Sequence, residues 1–214
     1  MKGVTFGEYH SFDDLHLVLS KKTIGTPTPK IETIDIPGAD GVLDLTEFFG
    51  DVKYNNRTLS FDFSTLVPQK QFMDLFSIVQ NAIHGKKVNI ILDDDPGFFY
   101  IGRPNVSAFT NEKNIGLITV EAECEPFKYK VEKTVVKVDV SGTKTISLTN
   151  SRKRAVPEVV ITTDSSIRIE YNGSIWDLGS GSFTLPELEL VEGENPVTLT
   201  GAGTITFTYQ EGSL

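Results

Sequence analysis

The chain has 214 residues, 39% of them hydrophobic, with a formal net charge of −9. That composition supports a real core and argues against disorder, while the acidity is the reverse of the basic footprint expected of a nucleic-acid-binding protein. One cysteine, Cys124, excludes an intrachain disulfide and a cysteine-based zinc cage, and it suits folding in a reducing cytoplasm. The opening segment lacks the apolar core and cleavage-like site of a signal peptide, and no apolar run approaches the roughly 18 residues of a membrane helix.

Taken in chain order, residues 16–23 and 30–36 are rich in β-branched and aromatic side chains and predict strands. Residues 37–41, Pro-Gly-Ala-Asp-Gly, predict a turn, because glycine takes positive φ at no steric cost. Residues 44–50 are too short for an independent helix and predict at most one turn, stopped by Gly50. Asn55-Asn56 reads as a second turn. From Arg57 the chain alternates, with Leu59, Phe61 and Phe63 on one face and Thr58, Ser60, Asp62 and Ser64 on the other, the pattern of a half-buried strand.

One segment predicts a helix. In residues 68–84, Phe72, Leu75, Phe76, Val79 and Ile83 fall at spacings of 3, 4, 3 and 4, with Pro68 suited to the first turn and Gly85 to the stop. Strands follow at 87–92, 98–103 and 115–125, with a hairpin-type turn at Asp93-Asp94-Asp95-Pro96-Gly97. In the last of these strands Ile118, Val120, Ala122 and Cys124 form the set expected to be buried.

Beyond residue 130 the composition shifts, no helical stripe appears, and short strands recur at 131–140, 143–149, 156–163, 167–171, 197–200 and 204–209. Short strands joined by Gly, Ser and Asn predict an antiparallel sandwich. The expected organisation is two domains, 1–130 and 131–214, mainly β with one packed α-helix. The acidity is shared, with 12 basic and 18 acidic residues before Lys130 and 8 and 11 from Lys130 onward, so neither half is a basic arm.

Catalytic and metal signatures are missing from the sequence. Three adjacent aspartates do not have the alternate ligand spacing of an EF-hand loop. His10, His16 and His84 are widely separated, and no nucleophile elbow, Walker A or dinucleotide fingerprint occurs. No enzymatic activity, cofactor or metal is therefore expected. Arg152-Lys153-Arg154 is the strongest basic cluster, a charged loop or a docking point for a neighbouring protein. Trp176 and Tyr171, beside the Asn172-Gly173 turn signal, are the candidates for stacking on a sugar.

The segment 37–63 resembles a signature of phage distal tail proteins (Dit), P-x-x-D-G-x-x-D-L-T followed by a loop and Y-x-x-R-x-L-x-F-x-F. The matching positions are Pro37, Asp40, Gly41, Asp44, Leu45, Thr46, Tyr54, Arg57, Leu59, Phe61 and Phe63. Cys124-Glu125-Pro126-Phe127-Lys128-Tyr129 is similar to the sequence that ends the family's first domain, and Gly193-Glu194-Asn195 with the strands after it is similar to the close of its second. The resemblance implies a tail-tube-like β-barrel or sandwich domain followed by a galectin-like sandwich that serves for docking. It also implies a homo-oligomeric ring, expected to be hexameric, at the tail tip of a siphovirus-type phage or prophage.

In that reading Pro37, Asp40, Gly41, Asp44, Leu45 and Arg57 are candidate ring-interface residues, and Arg57 is expected to pair with Asp40 or Asp44. The implied partners are the tail-tube protein above and a tail-associated baseplate protein below, with a receptor-binding protein as a further candidate. DNA passes through as cargo without specific binding, no membrane insertion is expected, and the protein would be made in the host cytoplasm and carried in the virion. The alternative is a two-domain carbohydrate-binding or adhesin protein using Trp176 and Tyr171.

Overall fold

A computed structural model describes residues 3–48, 50–65, 67–112 and 115–214; Phe49, in the segment read as a single turn, lies outside them. The chain divides into two compact units, residues 1–128 with Leu214, and residues 129–213. Mainly β structure with one helix is what the residue patterns predict and what the structure has.

The first unit contains β1 (Val4–Phe6), β2 (Tyr9–His10), β3 (Leu17–Ile24), β4 (Thr33–Asp35), β5 (Val42–Asp44), β6 (Arg57–Thr65), α1 (Phe72–Ile83), β7 (Val88–Leu92), β8 (Asp95–Glu112) and β9 (Ile115–Lys130). Its main sheet runs β2-β1-β7-β8-β9-β6-β3. The alternation in β6 and β9 is in register: Leu59 faces Ala122, Phe61 faces Val120 and Phe63 faces Ile118, all fully buried. The sheet curls, so Phe6 of β1 meets Phe61 edge-on, with centroids 5.6 Å apart. Such pairs stabilise beyond their buried area.

The predicted helix closes this core with Phe72, Leu75, Val79, Ala82 and Ile83 buried, worth roughly 6–12 kcal/mol as an upper bound. Its first predicted turn is a 3-10 turn, Gln69–Gln71. At the other end Lys86 Nζ donates to the Asn81 and Ala82 carbonyls, each at 2.8 Å, where a cation also suits the helix dipole.

The second unit contains β10 (Thr134–Asn150), β11 (Glu158–Thr162), β12 (Ile167–Tyr171), β13 (Ser174–Leu178), β14 (Gly181–Thr184) and β15 (Gly193–Tyr209). Four of the short strands expected from the sequence are two continuous strands of 17 residues each, β10 and β15, paired along their whole length. On its other edge β15 pairs with β12 through residues 198–201 and with β11 through residues 204–208. Side chains from both regions join one core, including Ile169 and Leu199 from the first and Val159 and Phe207 from the second.

The glycines between these regions explain why the strands read as broken. Gly201 (φ +145°) and Gly203 (φ +150°) sit where β-carbons would come within 2.7 Å of the Ser166 carbonyl and 2.5 Å of the Thr162 carbonyl. They let the ribbon curl against the loop joining β11 to β12 without ending the ladder. The Asn172-Gly173 signal is a two-residue hairpin turn with positive φ at both residues. One expected turn is absent: Asn55-Asn56 follows a bridge between Tyr54 and Pro29, and Asn55 N–H donates to the Thr28 carbonyl at 2.9 Å, so the segment is extended.

Candidate functional site

The candidate interface residues other than Arg57 lie on the connection between β3 and β6. β4 and β5 form a separate two-stranded hairpin, with Ile34 opposite Leu43 and Asp35 opposite Val42. The turn at its tip contains Gly38 at φ +84° and Gly41 at φ +76°, as the sequence predicts, with Pro37 and Asp40 exposed between the strands. At its root Leu45 N–H donates to the Glu32 carbonyl at 2.8 Å and Lys30 N–H to the Lys53 carbonyl at 2.7 Å. Asp44 accepts from the Thr46 N–H at 2.9 Å, and the Thr46 side chain and this bond hold its carboxyl below the usual carboxylate range.

This arm is apolar where a solvated hairpin would be polar. Ile31, Ile34, Ile36, Val42, Leu43 and Phe48 are between 44% and 71% exposed. Residues 31–52 also carry six acids and no basic residue. A two-stranded hairpin is marginal by itself, and a cluster of exposed apolar side chains marks a surface that another molecule covers. Sequence reasoning assigned residues 30–36 to a strand and missed its exposure. The available signal was the shortness of two apolar runs around a Gly-rich turn, with no third strand to receive them.

Arg57 lies elsewhere. It shares the inward parity of Leu59, Phe61 and Phe63, faces Cys124 in the ladder, and is 5% exposed. Among the described residues it makes no ion pair with Asp40 or Asp44, contrary to expectation. The guanidinium instead stands over the Tyr100 ring, 5.6 Å from its centroid. The physical reason is strand alternation, which turns Arg57 to the core face of the curled sheet while the arm stays solvent-exposed. Burial pushes the adjacent Cys124 thiol up to about 12, against the opposing effect of the Arg57 charge.

The other candidates separate. Tyr171 is 3% exposed, with its hydroxyl 2.9 Å from both the Glu189 carbonyl and Asn195 Oδ1, so it offers no face to a sugar. Trp176 stands opposite Ile169 on the same inward face and packs, half-buried, against the second core. Trp176→Ala is expected to cost about 2–3 kcal/mol in a denaturant titration, below the 3–5 kcal/mol of a fully buried aromatic; no loss would mark the ring as a free platform.

The basic cluster is internally paired: Arg154 with Glu189 at 2.9 Å, Arg152 with Glu192 at 3.7 Å, and Lys153 with the Tyr129 hydroxyl at 2.5 Å. The three aspartates at the β7–β8 turn go to different partners, Asp93 to Gly3 N–H and His10, Asp94 to Lys22, and Asp95 to Lys128. Among the described residues no group of three or more metal-ligating side chains converges, and no helix is long and apolar enough to cross a membrane.

No family model and no curated protein matches the sequence. The structure does match a solved one. It aligns with the crystal structure of SPP1 Dit, described as a paradigm of the hub adsorption apparatus in Gram-positive-infecting phages, with a TM-score of 0.74 over 100% of both chains at 16% identity. The chain has the Dit fold. The alignment spans both units, so the likeness covers the order of the two β units as well as each sheet.

Proposed function

We propose that this chain is a distal tail protein of a long-tailed, non-contractile phage or prophage. It is a structural subunit of the tail tip, carried in the virion, and not an enzyme. The observation that supports this is the full-length likeness to SPP1 Dit, together with the residue signature in segment 37–63, which no fold comparison uses. Copies of the chain close into a ring, expected to be hexameric, around a channel through which DNA passes. The ring joins the tail tube on one side to tail-associated baseplate proteins on the other, and the second unit is the docking platform.

A ring needs a heterologous contact that closes by rotation, with two different patches on each subunit. The arm formed by β4 and β5 supplies one such patch, and Asp40 at its tip and Asp44 near its root, with Pro37, Gly41 and Leu45, belong to it. Mass photometry and negative-stain microscopy of the purified chain test the proposal, with closed rings expected and monomers alone overturning it.

The same assay tests the arm. Ile34→Thr with Leu43→Thr replaces two exposed side chains by polar residues that suit a strand, so stability should stay within about 0.5 kcal/mol of wild type. Assembly should weaken by at least about tenfold. Unchanged rings would remove the arm from the interface.

A further inference from the structure

Arg57 is the only buried basic residue among the described residues. Arg57 keeps 5% of its surface accessible, and none of that is at Nε, which is fully buried with no hydrogen-bond partner. No carboxylate of the described chain pairs with it, although acids lie close in sequence. Glu123 and Glu125 flank Cys124, which faces Arg57, but alternation turns both to the opposite side of β9. There Glu123 accepts from Asn56 Nδ2 at 2.9 Å and Glu125 pairs with Lys87 at 2.9 Å. Holding a guanidinium this far from water without an anion is unfavourable, and its planar fork is shaped for a carboxylate.

We propose that Arg57 is an anchoring socket for a carboxylate presented by a second copy of this chain. The charge distribution identifies the source. The arm holds six acids and no base over residues 31–52, its apolar side chains are uncovered, and its tip acids Asp35 and Asp40 have no basic partner in their own chain among the described residues. An acidic, apolar projection and a recessed unpaired arginine are complementary patches of the kind a head-to-tail contact requires. This inference rests on the ring reading above and names the ion pair that fixes its geometry.

The test compares the full chain with Arg57→Met and Arg57→Lys, following assembly against concentration by mass photometry and folding by thermal melting. Arg57→Met removes an unpaired buried charge and should melt at or above wild type. It should weaken assembly by at least about tenfold, as expected when one partner of a desolvated charge pair is lost. Arg57→Lys should also weaken assembly, because a point ammonium cannot reproduce the fork; it decides the matter if the methionine variant does not fold.

Asp35→Asn with Asp40→Asn should weaken assembly too, and less than additively with Arg57→Met. A folded Arg57 variant that assembles like wild type overturns the socket and leaves the ring standing. Full additivity with the arm variants overturns the arm as the source of the carboxylate. A wild-type chain that stays monomeric at every concentration overturns the ring reading and the socket together.

Discussion

Asn195→Ala is expected to destabilise the second unit by about 3–5 kcal/mol. Asn195 is 1% exposed. Its Nδ2 donates to the carbonyls of Val191 at 2.9 Å, Leu148 at 3.1 Å and Gly193 at 3.1 Å. Its Oδ1 accepts from Val191 N–H at 2.9 Å and lies 2.9 Å from the Tyr171 hydroxyl. One side chain thus ties the start of β15 to β10, to the 185–191 segment and to the end of β12. Alanine leaves two or three buried groups unpaired at about 1–3 kcal/mol each. Asn195→Asp keeps one acceptor but turns a second oxygen toward three carbonyls in a buried site, and should cost at least as much as alanine. Chemical denaturation followed by near-ultraviolet circular dichroism reads the difference, and a loss below about 1 kcal/mol would show that water replaces these bonds.

Glu211→Ala should cost the same unit about 2–4 kcal/mol. Glu211 is buried, and its carboxylate accepts from Lys130 Nζ at 2.5 Å, Thr134 Oγ1 at 2.5 Å and Ser151 Oγ at 2.6 Å. It clamps the end of the chain to the first strand of the sheet. Burial works against its charge, but Lys130 and the two hydroxyls outweigh it and hold the carboxyl below its ordinary value of 4.5. A folded-state value below the unfolded one means the unfolded chain binds protons first. The stabilisation is therefore complete above pH 4.5 and is lost as pH falls from there through the lowered folded-state value. Glu211→Gln should flatten that acid limb of the stability profile while leaving neutral-pH stability less affected than alanine does. An unchanged acid limb in the glutamine variant would assign the acid sensitivity to other carboxylates.

Local regularities were legible in the sequence because they need only the period of the chain. The helical stripe at Phe72, Leu75, Val79 and Ile83, the inward set Leu59, Phe61 and Phe63, and the Asn172-Gly173 turn each follow from spacing or from a residue with special φ. Continuity was not legible in β10 and β15. Gly142, Gly201 and Gly203 read as breaks between short strands, whereas in the ladder they are bends inside two long ones. A glycine signals conformational freedom and does not say whether neighbouring strands will carry the hydrogen bonds across it.

The candidate site divides along the same line. By itself the sequence determined the mainly β character, the single helix, the turn at residues 37–41 and the inward set Leu59, Phe61 and Phe63. Each depends on contacts within a few residues or on strand alternation. Only the tertiary structure decided that Ile34 and Leu43 lie on an uncovered arm while equally apolar Leu59 and Phe61 lie in a core. It alone placed Arg57 over Tyr100 and left it without a carboxylate, and it alone put Tyr171 inside the second core. Burial is set by what packs against a strand, and the packing partners come from distant parts of the chain. β6 is covered by β1, whose Phe6 packs on Phe61 and Phe63, whereas nothing in the described chain covers β4 and β5.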